Sequence, residues 1–494
     1  MLPSEHTGSS LFYAVLKDAA AQFPDVLSAA DLGDQPNAWK RTYGSGLARF
    51  EARRVASAQR VEIAHFMLRR AQSSLLYTDA GQQWPLAEYL AAPETAPALE
   101  SVAGSGEPKL RVEVPIDGKV HRGREVSALA DRLAEEAEIT EAARVALRWS
   151  VEHIETRGGV LDLRGQRFAI LGAGAELALT ELLLEAGATV MWVDLASPQS
   201  WISKRGTRPG TVVYSEAARN LLEEPRAIRA AIEGFAAEGG PVNLGLFAYA
   251  SGASQEWRLG AAMNAIAAHL APGVLRSVTM LVSPTTVPSL QPESLRASER
   301  QLSVEPMWKL ALNRAGLLPK PGHLALAGAH IGLSTVSVQG LSYQAAQYVS
   351  KLAAAESFAV YGPTWSNGAP HPITVSANVA GITKTRSLSH PLFEAAFIGA
   401  PRFGVRIFEP ETTRALSGLL ILHDLLNPDA PGSATRVQDP APKAAAVLSQ
   451  QVHGGIYNLP YPLENAIRVA AVIGMGKKPS VLLRRNGKSA EVRA

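Results

Sequence analysis

The chain contains no cysteine, and this absence removes several kinds of chemistry at once. Without a thiol there is no disulfide, no thiolate metal ligand and no cysteine nucleophile. A large excess of charge of one sign is also missing, because the chain has 48 basic and 45 acidic residues. We therefore expect no nucleic-acid partner. Uninterrupted apolar runs stay below the roughly 18 residues of a membrane span, so no membrane-spanning segment is expected.

What remains is the composition of a globular protein, with 47% hydrophobic and 19% charged residues. The N-terminal residues lack a basic region leading into an apolar one, so no signal peptide is predicted and a cytoplasmic location is expected. The histidines are scattered and form no HExxH or comparable spacing. No metal site is predicted.

The pattern of apolar residues changes along the chain. Residues 1–158 favour a mainly helical N-terminal domain, whereas residues 159–458 alternate apolar runs with helical stretches, and 459–494 form a C-terminal tail. This alternation predicts an α/β fold with a Rossmann-type doubly wound parallel sheet. A segment at about 284–340 interrupts it and predicts an insertion. The predicted strands are Phe168–Leu171, Thr189–Val193, Thr211–Tyr214, Leu244–Ala250, Val278–Val282 and Ile373–Val379.

One unit predicts a dinucleotide site. A strand ends at Gly172 and Gly174, a helix-like run with Ala178 follows, and the next strand ends at Asp194. Small residues in such a turn let backbone N–H groups approach a pyrophosphate, and the helix N-terminus adds unpaired donors. The acid stands near the expected ~20-residue distance, where it can bind both ribose hydroxyls.

After this turn, several segments resemble the short-chain dehydrogenase/reductase superfamily in the same order, over residues 159–458. The segment before Lys351, and the Ser-Lys-Leu-Ala-Ala-Ala-Glu-Ser run that contains it, is similar to the family's catalytic helix. Family members carry Tyr-x-x-x-Lys there, but Gln347 stands four residues before Lys351. Two tyrosines are alternatives: Tyr348 lies three residues before the lysine, and Tyr343 lies eight before, near the seven-residue spacing of related enoyl-thioester reductases.

The resemblance implies roles for the catalytic groups. The tyrosine phenol transfers the proton, and the lysine lowers the phenol pKa and binds the nicotinamide ribose. Ser283, at the end of a strand, resembles the serine that hydrogen-bonds the substrate carbonyl. Asn264 resembles the asparagine that supports the lysine through water.

Further residues resemble the family's cofactor-binding positions. Ala250 and Gly252 are similar to the small-residue turn along the adenosine. Gly381, Thr383 and Thr385 are similar to the turn that holds the nicotinamide carboxamide, although Ala380 replaces its usual proline.

Asp194 favours NAD over NADP, because its charge repels a 2′-phosphate. Lys204, Arg205 and Arg208 follow it and are interpreted as surface residues, with contact to a phosphate as the alternative.

The leading hypothesis is an NAD(P)-dependent oxidoreductase. It transfers hydride to or from a carbonyl, alcohol or enoyl group of a small-molecule or carrier-linked substrate that is bulky and apolar. The resemblance also implies a homo-oligomer. Two alternatives stay open because Glu176, Gln347 and Ala380 depart from the family: a non-catalytic nucleotide-binding scaffold, and a lyase or epimerase that keeps its NAD bound.

Overall fold

Alternate residues of the central strands point to opposite faces of one sheet, as the period of two requires. Ala169 and Leu171 belong to a core on one face, whereas Phe168 and Ile170 belong to a second core on the other. The computed structural model describes residues 8–33, 35–250, 252, 254–363 and 373–478. Within these residues the fold is α/β, with a mostly parallel sheet covered by helices on both faces.

The central sheet has seven strands in the order β13-β10-β9-β6-β7-β8-β3. All pairs are parallel except β3 with β8 at the edge. From β8 to β13 this is the 3-2-1-4-5-6 order of the Rossmann fold, so a ligand crevice is expected where β6 and β9 diverge. Each of the six predicted strands overlaps an observed one, but the strand predicted for Leu244–Ala250 ends at Leu246. The strands are β3 (Glu100–Val102), β6 (Arg167–Leu171), β7 (Thr189–Val193), β8 (Thr211–Tyr214), β9 (Val242–Leu246), β10 (Leu275–Val282) and β13 (Thr374–Val379).

Three two-stranded hairpins lie outside this sheet. They are β1 (Leu76–Asp79) with β2 (Gln82–Pro85), β4 (Glu113–Ile116) with β5 (Lys119–Arg122), and β11 (His323–Leu326) with β12 (Ala329–Gly332).

The N-terminal residues share both cores with the sheet. Four helices cover one face together with later ones: α1 (Gly8–Gln22), α2 (Pro36–Ala56), α3 (Arg60–Ser73) and α4 (Leu86–Ala91). Two more, α5 (Glu125–Glu135) and α6 (Glu141–Glu155), lie on the opposite face. The proline-rich residues 85–108 supply α4 and the edge strand β3.

The remaining helices connect the strands and extend beyond the last of them. They are α7 (Thr180–Glu185), α8 (Pro198–Arg205), α9 (Pro225–Gly239), α10 (Gln255–His269), α11 (Pro292–Ser303), α12 (Met307–Arg314), α13 (Gly340–Gln347), α14 (Ala354–Tyr361), α15 (Pro391–Gly399), α16 (Pro410–Leu426), α17 (Pro440–Val447) and α18 (Leu463–Lys477). The predicted insertion at about 284–340 holds α11, α12 and the β11-β12 hairpin. The predicted C-terminal tail begins with α18, and residues 479–494 lie outside the described residues. Among the described helices, none combines the length and the apolar character needed to span a membrane.

Candidate functional site

The predicted site residues follow the strands at the carboxyl edge of the sheet. The glycine turn follows β6, Ala250 and Gly252 follow β9, Ser283 follows β10, and Gly381 follows β13. In a sheet of this topology the ligand crevice opens at this edge. The fold therefore brings the predicted cofactor and catalytic segments to one side of the molecule.

Gly172 is required by close packing. Its φ is +87°, a conformation that favours glycine, and its N–H donates to the Val193 carbonyl at 2.8 Å. A Cβ at this position would lie 2.3 Å from the backbone nitrogen of Ala248. The turn after β6 thus contacts the segment after β9 directly, and a larger residue would separate them.

Asp194 contacts the glycine turn from the end of β7. Its Oδ2 accepts the N–H of Gly174 at 3.0 Å, and its Oδ1 accepts the N–H of Ala196 at 2.9 Å. Each carboxylate oxygen has two acceptor positions, so one on each remains for a ribose hydroxyl.

The helix after the glycine turn begins later than the sequence predicts. Residues 172–179 are irregular, and α7 starts only at Thr180, whose hydroxyl donates to the Ala173 carbonyl at 2.7 Å. Ala178 is buried, and its N–H closes a turn onto Ala175 at 3.0 Å. The expected helix N-terminus directly behind Gly174 is therefore absent from the described turn, because these local bonds hold the chain in turns instead.

Glu176, the unusual acid of the turn, reaches the segment after β13. Its Oε2 accepts the backbone N–H of Arg386 at 3.0 Å and lies 3.6 Å from the Arg386 Nε. The Arg414 guanidinium donates to the Glu176 carbonyl at 2.9 Å. These contacts join two segments that border the crevice.

Arg219 is a residue near Asp194 that sequence analysis missed. Its Nε lies 3.4 Å from the Asp194 carbonyl, it also donates to the Leu195 carbonyl, and it pairs with Glu216 at 2.8 Å. Its position depends on the loop after β8, which no local motif marks. Arg205 and Arg208 instead pair with Glu181 of α7, as expected of surface residues.

Ser283 and Tyr343 are brought together, although 60 residues separate them. The Tyr343 hydroxyl donates to Ser283 Oγ at 2.7 Å, and Ser283 Oγ also lies 2.9 Å from Thr285 Oγ1. Gln347, one turn after Tyr343, accepts the Ser283 N–H through its Oε1 at 2.9 Å. Tyr343 and Gln347, both on α13, therefore hold Ser283 in place by hydrogen bonds. Burial raises the pKa of the Tyr343 phenol.

Lys351 lies on the same continuous helix and is only 9% exposed. Its Nζ donates to the Leu246 carbonyl, at the end of β9, at 2.7 Å. Within the described residues, no carboxylate lies within 4 Å of this ammonium. Burial lowers its pKa to about 8.

A π-helical segment, Tyr348–Ala353, separates α13 from α14 and contains Lys351. In a regular α-helix, eight residues span about 800°, which places Tyr343 and Lys351 roughly 80° apart around the axis. A π-turn absorbs one extra residue, so the same eight residues advance about as far as seven, within roughly 20° of two full turns. Tyr343 and Lys351 therefore share one face of the helix.

Asn264 of α10 contacts this π-helical segment. Its Nδ2 donates to the Ser350 carbonyl at 3.0 Å, while its Oδ1 is buried without a partner among the described residues. A buried acceptor of this type is commonly satisfied by an ordered water.

Tyr348 lies away from this group and belongs to a buried cluster of charges. Its hydroxyl donates to Glu51 of α2 at 2.6 Å. Glu51 pairs with Arg54 at 2.7 Å, and Glu356 of α14 pairs with both Arg54 and Arg60 at 2.6 Å. We call Glu51, Arg54, Arg60 and Glu356 the charge cluster. Sequence analysis missed it, because its partners stand about 300 residues apart and no local pattern joins them.

The segments after β9 and β13 hold the remaining predicted cofactor residues. Ala250 is half-buried, and the Gly252 N–H donates to Glu256 at 3.1 Å; residues 251 and 253 lie outside the described residues. Thr385 is half-buried, with its hydroxyl 2.8 Å from that of Ser387.

Gly381 and Thr383 are held by local packing. A Cβ at Gly381 would lie 2.3 Å from the Phe408 ring, so this glycine is required by that contact. The Thr383 hydroxyl is buried, donates to the Gly381 carbonyl at 2.9 Å and lies 2.6 Å from Thr413 Oγ1. Its side chain is thus already engaged within the protein.

The acidic and histidine side chains give no metal centre in the part of the chain that the structure describes, where no three of them lie close enough to share an ion. Among models of known protein families and among curated proteins, none matches this chain.

Proposed function

We propose that the chain is an NAD(P)-dependent oxidoreductase that moves hydride between a nicotinamide nucleotide and a carbonyl, alcohol or activated alkene. One observation carries this proposal. Tyr343 donates to Ser283 at 2.7 Å, on the helical face that also holds the buried ammonium of Lys351. A phenol, a hydroxyl and a cation on one side of a ligand crevice are the groups needed to polarise and protonate a carbonyl oxygen.

Each residue has a role that follows from its contacts. A bound nicotinamide nucleotide would be the source of the hydride in reduction, and Tyr343 would give its proton to the carbonyl oxygen as the hydride reaches the carbonyl carbon. Ser283 donates a hydrogen bond to that oxygen, and Gln347 keeps Ser283 in place by accepting its backbone N–H. Lys351 is charged below pH 8 and stabilises the phenolate that Tyr343 becomes.

The adenosine end fits NAD better than NADP. Asp194 keeps one acceptor position on each oxygen for the ribose hydroxyls, and its charge disfavours a 2′-phosphate. Arg219, the nearest guanidinium on the loop after β8, is already paired with Glu216 and with backbone carbonyls. A bulky or carrier-linked substrate and a homo-oligomer remain proposals that follow from the sequence resemblance and the insertion.

A second candidate, a non-catalytic scaffold whose glycine turn no longer binds a dinucleotide, is favoured by Glu176. Its carboxylate binds the Arg386 backbone and so joins the two segments between which a pyrophosphate would lie. A negative group at that place also repels a diphosphate.

Calorimetric titration with NADH and with NADPH tests the proposal and separates the two candidates. We expect wild type to bind NADH more tightly than NADPH, and Asp194→Ala to weaken NADH at least tenfold. Asp162→Ala, an exposed acid before β6, is the matched control and should bind as wild type does. Absence of NADH binding to wild type, with binding gained by Glu176→Ala, would favour the scaffold and overturn the proposal.

Catalysis needs a separate test once a nucleotide binds. A screen of carbonyl and enoyl substrates, followed by loss of absorbance of NADH, should give turnover in wild type. Tyr343→Phe should lower kcat about 100-fold or more while leaving the nucleotide affinity unchanged, because general acid catalysis contributes roughly 10²–10⁴-fold.

A further inference from the structure

A cavity separate from the candidate site is lined by none of the predicted site residues. It has a volume of about 140 Å³ and lies between α7, α16 and the sheet. Most of its wall is aliphatic, with Phe168, Leu182, Leu183, Leu422 and Leu426 among the lining residues. We call it the leucine groove. None of the predicted site residues lines the groove, although Leu179, next to Ala178, does.

Gly418 lets α16 pack closely against α7 at the wall of this groove. It lies inside the 17-residue helix α16, where a glycine costs about 1 kcal/mol relative to alanine. A Cβ at Gly418 would lie 3.0 Å from the Cδ1 of Leu182 across the groove. The close approach of Leu182 explains why a glycine stands inside this long helix, and any side chain added there would narrow the groove.

The polar groups of the groove gather at the amino edge of the sheet. Gln166 precedes β6, Arg276 stands at the start of β10, and its Nη1 donates to Gln166 Oε1 at 2.9 Å. Arg111 lies on the segment before β4 and is exposed, like Arg276. Among the described residues neither guanidinium has a carboxylate within 4 Å, and the nearby acid Glu113 is paired with Arg122 at 3.0 Å.

An apolar cavity of this size does not favour water. A cavity of about 150 Å³ lined by aliphatic and aromatic side chains stays dry and binds a six-carbon ring. Two guanidiniums in the lining, neither with a carboxylate partner among the described residues, add a preference for an anionic head, which Arg recognises in a bidentate manner. An alkyl chain of about six to ten carbons that ends in a carboxylate satisfies both requirements.

We propose that the leucine groove binds a medium-chain alkyl carboxylate, with its chain against Leu182 and Leu422 and its carboxylate at Arg276 and Arg111. This site is independent of the proposed oxidoreductase chemistry. A free carboxylate, and not a second copy of the chain, is favoured as occupant by the charge at the rim.

Calorimetry with octanoate and octanol tests both the binding of the alkyl chain and the contribution of the carboxylate. We expect wild type to bind both, and octanoate more tightly. Arg276→Gln should weaken octanoate roughly tenfold and leave octanol unchanged, because it removes only a charge-assisted contact. Arg300→Gln, an exposed arginine of α11 outside the groove, is the matched control and should bind both as wild type does.

Gly418→Leu fills the groove and should abolish binding of both ligands. Leu182 contributes only a flexible end to the contact, so the variant is expected to fold, and circular dichroism with a thermal scan verifies this. Gly418→Ala provides a smaller change that should weaken binding without abolishing it. Equal octanoate binding by wild type and a folded Gly418→Leu would overturn the proposal. So would a wild-type dimer that binds neither ligand and that Gly418→Leu converts to a monomer, since a second copy then covers the groove.

Discussion

Two buried charges of this protein, Lys351 and the Glu356 of the charge cluster, lie on one continuous helix and are satisfied in opposite ways. In the charge cluster, Arg54 is 0% exposed and contacts two carboxylates, and Glu356 contacts two guanidiniums. Lys351 is buried five residues earlier, and its ammonium has only the Leu246 carbonyl as a described partner. Both Glu356 and Lys351 are removed from water. Glu356 is paired with groups of opposite charge, whereas Lys351 has no charged partner among the described residues.

The difference predicts a structural role for the charge cluster and agrees with the functional role proposed for Lys351. A paired cluster costs little once formed, whereas an unpaired buried ammonium is costly and shifts its pKa. Burial by itself would raise the pKa of the Glu356 carboxyl. Attraction to Arg54 and Arg60 lowers that pKa by more than burial raises it, so the net shift is downward. Burial alone lowers the pKa of Lys351 to about 8. Unpaired, shifted groups in a crevice are typical of functional sites.

Breaking the charge cluster should have the largest effect on stability. Glu356→Gln leaves two buried guanidiniums with the single carboxylate of Glu51. We expect a loss of about 3–5 kcal/mol in the free energy of unfolding, measured by urea denaturation. Glu107→Gln removes the exposed ion pair with Arg164 and should cost less than about 1 kcal/mol. A loss no larger than that of the control would contradict the structural role of the cluster.

Lys351→Met should increase the free energy of unfolding, the opposite of the effect expected for Glu356→Gln. The lysine pKa is about 8 in the folded protein and 10.5 ordinarily, so between these values the unfolded chain binds more protons and wild-type stability rises with pH. Below pH 8 the full cost of the buried charge is present. The variant should therefore exceed wild type by up to about 3 kcal/mol at pH 7.

Urea denaturation of both proteins at pH 7, 8, 9 and 10 measures this difference. It should shrink as pH rises through the window and approach zero near pH 10.5, because the unfolded lysine then also loses its proton. A difference that is the same at every pH would show that Lys351 is not a strained cation in the folded state.

How far the sequence predicts these regions depends on the range of the interactions. The six central strands follow from short apolar runs, and the carboxyl-edge position of Ser283, Asp194 and Gly381 follows from those strands. These are local patterns combined with one rule of topology. Lys351 was likewise predicted as a site residue from the residues next to it in the chain.

Features that depend on distant contacts were not predictable. The charge cluster joins α2 and α3 to α14 across about 300 residues. The late start of α7 depends on the bonds that Thr180 and Arg414 make with the glycine turn. The π-helical segment brings Lys351 onto the helical face of Tyr343, and its residues resemble those of an ordinary helix. Spacing alone therefore left Tyr343 and Tyr348 as alternatives.

The smallest expected differences concern Tyr348, which contacts the charge cluster, and Tyr343, which contacts Ser283. Tyr348→Phe removes a hydrogen bond to the buried carboxylate of Glu51 and should cost about 1–3 kcal/mol in unfolding free energy. Tyr343→Phe removes a bond to Ser283 Oγ, which keeps Thr285 as a neighbour, so a loss of at most about 1 kcal/mol is expected.

Turnover should show the reverse order. Tyr343→Phe loses the proton donor of the proposed reaction, whereas Tyr348→Phe leaves every group around Ser283 in place. Urea denaturation and NADH-dependent turnover of the two variants, measured at one pH below 8 where Lys351 is charged, make the comparison. Loss of turnover in Tyr348→Phe but not in Tyr343→Phe would assign the proton donor to the charge cluster and would reverse the distinction between paired and unpaired buried charge.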